Sequence, residues 1–197
     1  SDTFVIKVLD YVTGITVSPT AVTGTYNDDI NTIITNNSLE YTVTYASAGA
    51  QTPVALDASM VSGYNAQTTA AQTVNVTYTD ADTNSATNGQ TFPATFTVTL
   101  TDNVNSVDVT NTPATSKYGE QLDLSGMTIT ATKDSGTITV NLSDATVSGF
   151  NPNTLGDQTV TVTYGGQSDT FVVKVLDYVT GICKSIINKK ILHLHII

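Results

Sequence analysis

The stretch Ser168-Asp-Thr-Phe-Val-Val-Lys-Val-Leu-Asp-Tyr-Val-Thr-Gly-Ile182 repeats the opening Ser1-Asp-Thr-Phe-Val-Ile-Lys-Val-Leu-Asp-Tyr-Val-Thr-Gly-Ile15, with Ile6 against Val173 as the one change. Near-identity over such a length marks tandem repetition, in which one supersecondary unit recurs along a chain. The phrase Asp177-Tyr-Val-Thr-Gly-Ile182 returns in weaker form as Asp102-Asn-Val-Asn-Ser-Val107, which divides the chain into two modules. The expected boundaries are 1–11 for the last strand of an upstream repeat, 12–102 for module one, 103–178 for module two, and 179–197 for the start of a next linker plus a non-repeat tail. In the first segment Phe4, Ile6 and Val8 would share one face, as alternate residues of a strand do.

The modules align internally. Tyr26 matches Tyr118, Val61-Ser-Gly-Tyr-Asn65 matches Val147-Ser-Gly-Phe-Asn151, and Gln72-Thr-Val-Asn-Val-Thr-Tyr78 matches Gln158-Thr-Val-Thr-Val-Thr-Tyr164. Both close on Thr-Phe-x-Val, at Thr95 and Thr170. Alternation of apolar and polar residues runs through these segments, the pattern of strands with one wet face. The inward set expected in module one is Tyr41, Val43 and Tyr45, then Val54 and Leu56, then Val74, Val76 and Tyr78, then Phe96, Val98 and Leu100. In module two it is Met127, Ile129 and Ala131, then Ile138, Val140 and Leu142, then Val160, Val162 and Tyr164, then Phe171, Val173 and Val175. Turn residues punctuate the runs at Ala48-Gly49, Asn88-Gly89, Asp134-Ser-Gly136 and Gly165-Gly166, so antiparallel hairpins are expected.

Module one carries two insertions, near Asn31 to Ser38 and within Thr79 to Ala94, the second lengthening its last hairpin. No helical stretch is expected in either module. Short strands with frequent turns predict an all-β chain of two tandem β-sandwiches in an elongated arrangement.

The phrases Tyr118-Gly-Glu-Gln-Leu-Asp-Leu-Ser-Gly-Met-Thr-Ile-Thr-Ala, Val147-Ser-Gly-Phe and Gly156-Asp-Gln-Thr-Val-Thr-Val-Thr-Tyr-Gly-Gly166 resemble a bacterial immunoglobulin-like domain, group 3. Module one matches the second half of that pattern and departs in the first, with Tyr26-Asn-Asp-Asp-Ile in place of a Tyr-x-x-Gly-Glu-like run. The resemblance implies immunoglobulin-like sandwiches in tandem on secreted or wall-attached bacterial surface proteins, where they act as stalks or adhesive segments. Fold alone leaves function open.

Composition narrows the partners. The net charge is −10, charged residues are 12 % of the chain, and its seven basic residues are all lysine. No basic patch can form, which argues against nucleic acid and anionic membranes. Cys183 is the single cysteine and lies outside the repeats, so no disulfide framework holds the modules. No apolar run nears the roughly 18 residues of a membrane span; the sequence starts mid-strand without a signal peptide, so any export or anchoring signal is expected in segments beyond its ends. The tail from Cys183 has no counterpart in the repeats; it reads as an appended or frame-shifted segment, with a native C-terminal segment as the alternative.

Catalysis by a nucleophile and base needs a histidine or its equivalent beside the nucleophile, and the two histidines, His193 and His195, fall in the tail. Those two alternate positions lack a third ligand for a metal. Asp28-Asp29 and Asp80-Ala-Asp82 offer oxygen ligands of the kind Ca²⁺ takes but lack the spacing of an EF-hand loop, so solvated acidic loops are the expectation. No catalytic, cofactor-binding or metal residue is assigned.

With no Trp, and with most Tyr and Phe facing inward, aromatic sugar platforms are not expected; Tyr11 and Tyr178 sit in the linker phrase and are expected to wedge between neighbouring modules. A Lys-Asn isopeptide within module one is excluded because no lysine lies between Thr16 and Thr101. In module two Lys117, Lys133 and Lys174 are expected at loops, strand ends or the outer face. The Thr159-x-Thr161-x-Thr163 ladder is expected to be a solubilising strand face, since twisted sheets do not give the flat surface that ice binding requires.

The function expected is a structural stalk or spacer of a bacterial cell-surface protein that presents a distal domain, with no enzymatic activity and an extracellular, cell-wall location. Its partners would be neighbouring repeats of the same chain, with the chain itself monomeric. The second reading is an adhesive module that grips a host or surface ligand through the hairpin 79–94, because loop insertions are where scaffolds acquire ligands.

Overall fold

The structure is a computed structural model and describes residues 3–179. The chain divides into two compact units, one of 3–103 with Lys133–Gly136 and one of Val104–Thr132 with 137–179.

In chain order the first unit holds β1 (Val12–Ser18), β2 (Ala21–Thr25), α1 (Ile30–Asn36), β3 (Glu40–Tyr45), β4 (Gly49–Ala50), β5 (Val54–Ala55), β6 (Val61–Ser62), β7 (Gln72–Thr79) and β8 (Thr91–Thr101). One sheet runs β1-β3-β4, with β5 also on β3; the other runs β2-β8-β7-β6. Alternate residues of β1, β7 and β8 point between the sheets, where Ile15, Val17, Val74, Val76, Phe96, Val98 and Leu100 form one apolar cluster. Burying each Val or Leu contributes about 1.5–3 kcal/mol, which stabilises a unit with no cross-link.

The second unit repeats this plan with β9 (Val104–Thr110), β10 (Thr115–Lys117), β11 (Thr128–Lys133), β12 (Gly136–Val140), β13 (Thr146–Ser148), β14 (Gly156–Tyr164) and β15 (Gln167–Leu176). Its sheets are β12-β11-β9 and β10-β15-β14-β13 around Val107, Ile129, Ala131, Val140, Val160, Val162, Phe171 and Val173. In both units an early strand pairs parallel with the last one. Ala21–Thr25 lies against Thr97–Thr101, and Thr115–Lys117 against Lys174–Leu176. The fold is therefore all-β sandwiches of immunoglobulin-like type, as the alternation predicts.

Four expectations change. The first insertion of module one is a helix, α1, where none was expected. Asp29 accepts the Thr32 N–H at 2.7 Å as its N-cap, and Ile33 and Ile34 enter the core. Ile30, Ile33 and Ile34 have the helical spacing, but a β-branched run has low helix propensity and reads as strand; burial against the sheets overrides it.

Val54 is exposed rather than inward, because β5 is a two-residue contact at the sheet edge. Ile138 and Leu142 are also exposed. β12 is an edge strand, and the alternation stops at Val140 where Leu142–Asp144 turns into a 3-10 helix.

Lastly, residues 3–9 form no strand, and Phe4, Ile6 and Val8 stand in solvent while their duplicates Phe171, Val173 and Val175 are buried in β15. A strand needs neighbours to satisfy its backbone groups, and β14 and β10 supply them only to β15.

Candidate functional site

The most elaborate polar arrangement in the first unit is the loop 80–90 between β7 and β8. Asp80 closes β7 and is fully buried, a position that a carboxylate tolerates only when hydrogen-bonded. Its Oδ1 accepts the Asp82 N–H at 3.0 Å and its Oδ2 the Thr87 hydroxyl at 2.8 Å, while Ser85 Oγ and Thr87 Oγ1 lie 2.9 Å apart. Burial by itself would raise the Asp80 pKa, but the bonds from Ser85, Asp82 and Thr87 outweigh it and hold the carboxyl below its ordinary value. Asp82 turns back on the loop, accepting the Asn84 N–H at 2.8 Å. Beside the loop Tyr78 lies 5.7 Å from Tyr41, ring to ring, and burial pushes its phenol up to about 12.

This loop holds the chain segment that precedes β1. Lys7 Nζ donates to Asn84 Oδ1 at 2.6 Å, the Ala86 N–H donates to the Asp10 carbonyl at 2.8 Å, and the Val12 N–H donates to Thr87 Oγ1 at 2.9 Å. From the other side the Asp10 carboxylate caps the β3–β4 turn, accepting the Ser47 N–H at 3.0 Å, the Ser47 hydroxyl at 2.7 Å and the Ala48 N–H at 3.2 Å. The Ser47 hydroxyl leads these bonds in holding the Asp10 pKa below its usual value.

Asp102, two residues ahead of β9 as Asp10 is ahead of β1, repeats the device. It accepts the Ser135 N–H at 2.9 Å and hydroxyl at 2.8 Å and pairs with Lys133 at 2.9 Å, the lysine being the main cause of its lowered pKa. The sequence signal was present in the Asp of each linker phrase and the Ser of each turn, but nothing in one dimension says that they meet.

The acidic pairs noted as calcium candidates have other partners. Asp28 accepts the Thr25 N–H at 2.7 Å, Asp29 caps α1, and Asp80 and Asp82 serve their own loop. Among the described residues no group of three or more His, Cys, Asp or Glu is placed to hold a metal ion.

Lys117 faces Glu120 at 3.5 Å on the surface, Lys133 is paired with Asp102, and Lys174 is exposed on β15. Tyr11 and Tyr178 are half exposed. His193, His195 and Cys183 lie outside the described residues. Shallow depressions of about 370 Å³ occur beside Lys117 and Leu176, and beside Ile34 and Leu56; neither is lined by a histidine or a cysteine. Among the described residues no helix is long and apolar enough to cross a membrane.

Fold and site together define immunoglobulin-like β-sandwiches whose buried polar groups serve their own backbone. Residues 109–175 match the family model of the bacterial Ig-like domain (group 3), which covers most of the second unit and extends no further. A solution structure described as that of a candidate surface protein shares 21 % identity over 42 % of this chain and 98 % of its own, with a TM-score of 0.25, too low to support an argument. No curated protein matches the chain.

Proposed function

We propose that the chain is a structural spacer of a bacterial cell-surface protein, located outside the cell, non-enzymatic, and built to carry load while it holds a distal domain away from the surface. The observation that carries this reading is the parallel pairing of an early and the last strand in each unit, β2 on β8 and β10 on β15. Tension between the two ends of a unit slides such strands along one another, so the ladder bonds are loaded together rather than unzipped one by one. The family match at 109–175 supports the surface location.

The adhesive alternative for 79–94 is weakened by the use of that hairpin. Asn84, Ala86 and Thr87, which a ligand-binding loop would keep free, bond to residues 7–12.

Pulling the chain by its ends in a single-molecule force experiment tests the proposal. Two separate unfolding events are expected, the stronger from the first unit, whose parallel ladder has five paired positions against three in the second. Unfolding of both units at forces typical of unzipped hairpins would refute it, as would tight binding of a host matrix component that is lost when the loop 80–90 is replaced by Gly-Gly.

A further inference from the structure

Lys7-Val-Leu-Asp-Tyr-Val12 recurs letter for letter as Lys174-Val-Leu-Asp-Tyr-Val179. The first copy is seated: Val12 is 2 % exposed, and Lys7, Asp10 and Val12 bond to the loop 80–90. The second copy has its end bare, with Val179 83 % exposed. Asp177 Oδ1 accepts the Tyr178 N–H at 2.9 Å, the same local bond that Asp10 Oδ1 makes with the Tyr11 N–H at 2.9 Å.

The remaining linker phrase offers a contrast. It has Thr99 where the others have lysine and Asn103 where they have tyrosine, and the second unit has no socket, since its final turn is the two residues Gly165–Gly166. Val104 closes over that turn so tightly that a Cβ on Gly165 would lie 2.4 Å from it. Lysine and long loop occur together, and both are missing together.

We propose that residues 174–179 are a plug whose partner is the loop 80–90 of a further module of the module-one kind, carrying the equivalents of Asn84, Ser85 and Thr87. This rests on the spacer reading and adds a rule of order: modules with a long final hairpin follow modules ending in Lys-Val-Leu-Asp-Tyr-Val, and short-turn modules follow the lysine-free linker. Lys174 reaches the Asn84 equivalent, the Asp177 carboxylate caps the Ser47 equivalent, and Val179 is covered as Val12 is.

The test extends the chain by joining residue 182 directly to a second copy of 16–101, and reads amide hydrogen exchange. The Val179 amide is expected to exchange at least tenfold more slowly in the joined chain than in the existing one, and Thr87→Val in the appended copy to restore fast exchange at Val179 while the Val76 and Val98 equivalents of that copy stay protected, which separates loss of the socket from the loss of stability that follows removal of the Thr87 bond to Asp80. Equal Val179 exchange in the two chains overturns the proposal.

A second measurement needs only the existing chain. Asn84→Ala with Thr87→Val is expected to speed Val12 amide exchange at least tenfold; unchanged exchange would show that the loop is no socket. Slowed Val179 exchange together with low unfolding forces would sink the spacer reading and leave the plug standing.

Discussion

Gln158 grips the backbone of Asn151 from both sides: its Oε1 accepts the Asn151 N–H at 2.7 Å and its Nε2 donates to the Asn151 carbonyl at 2.8 Å. Gln72 does the same to Asn65, at 2.8 and 2.9 Å. The recurrent Val-Ser-Gly-aromatic-Asn and Gln-Thr-Val phrases are thus two halves of one lock, which fastens the loop after β6 or β13 to the start of β7 or β14.

Replacing Gln158 by Met keeps the side-chain length and removes both of these bonds and a third, from Nε2 to the Thr154 carbonyl at 2.5 Å. Each is worth about 0.5–1.5 kcal/mol net, so the second unit is expected to lose roughly 1.5–4.5 kcal/mol. Urea unfolding followed by probes in each unit should show the loss in the second and an unchanged first. Equal loss in both would refute independent locks.

Gly149 sits in the same motif at φ +90°, and a Cβ there would lie 2.4 Å from the Thr159 carbonyl oxygen. Gly149→Ala therefore combines left-handed backbone strain with a clash against a strand that cannot move aside, and should cost on the order of 3 kcal/mol. Gly126→Ala, with open space at that position, is the control and should shift the melting temperature little.

Ile33 of α1 is buried to 1 % exposure beside Val22 and Leu100 in one apolar cluster. Ile33→Ala is expected to destabilise the first unit by about 2–5 kcal/mol, whereas replacing the loop 80–90 by Gly-Gly should leave the core intact and release only residues 7–12. Thermal unfolding with exchange at Val12 separates these outcomes. A neutral Ile33→Ala would mean that the helix is an ornament on the sandwich.

Acid and alkali should act on different groups. The Asp80 carboxyl titrates below its unfolded value when folded, so its contribution is complete above the ordinary aspartate range and is lost as pH falls through the lowered folded pKa. Asp80→Asn should therefore be less stable than the parent at neutral pH, with the gap closing on acidification. Tyr78 is the opposite case. Its stabilisation is complete below about 10, the unfolded tyrosine value, and is lost as pH rises towards the folded value of about 12. Melting temperatures across pH, with phenolate absorbance for Tyr78, check both limbs.

What the sequence determined on its own is the fold class and most of the core. Period-two alternation is a local property that survives in one dimension, so Val74, Val76, Phe96, Val98, Val160, Val162, Phe171, Val173 and Val175 could be placed inward before any coordinate was known. The pattern failed where local preference and burial disagree. Ile33 and Ile34 look like strand and fold as helix, and Ile138 and Leu142 keep the rhythm but lie where the edge of the sheet leaves them uncovered. The site was legible as letters and illegible as geometry. Asp10, Ser47, Asn84 and Thr87 are polar residues scattered over almost eighty positions, and only the folding of β3–β4 and β7–β8 beside the linker brings them together. Hydrogen bonds reach about 3 Å whatever the separation along the chain, so which donor meets which acceptor is decided by the tertiary fold alone.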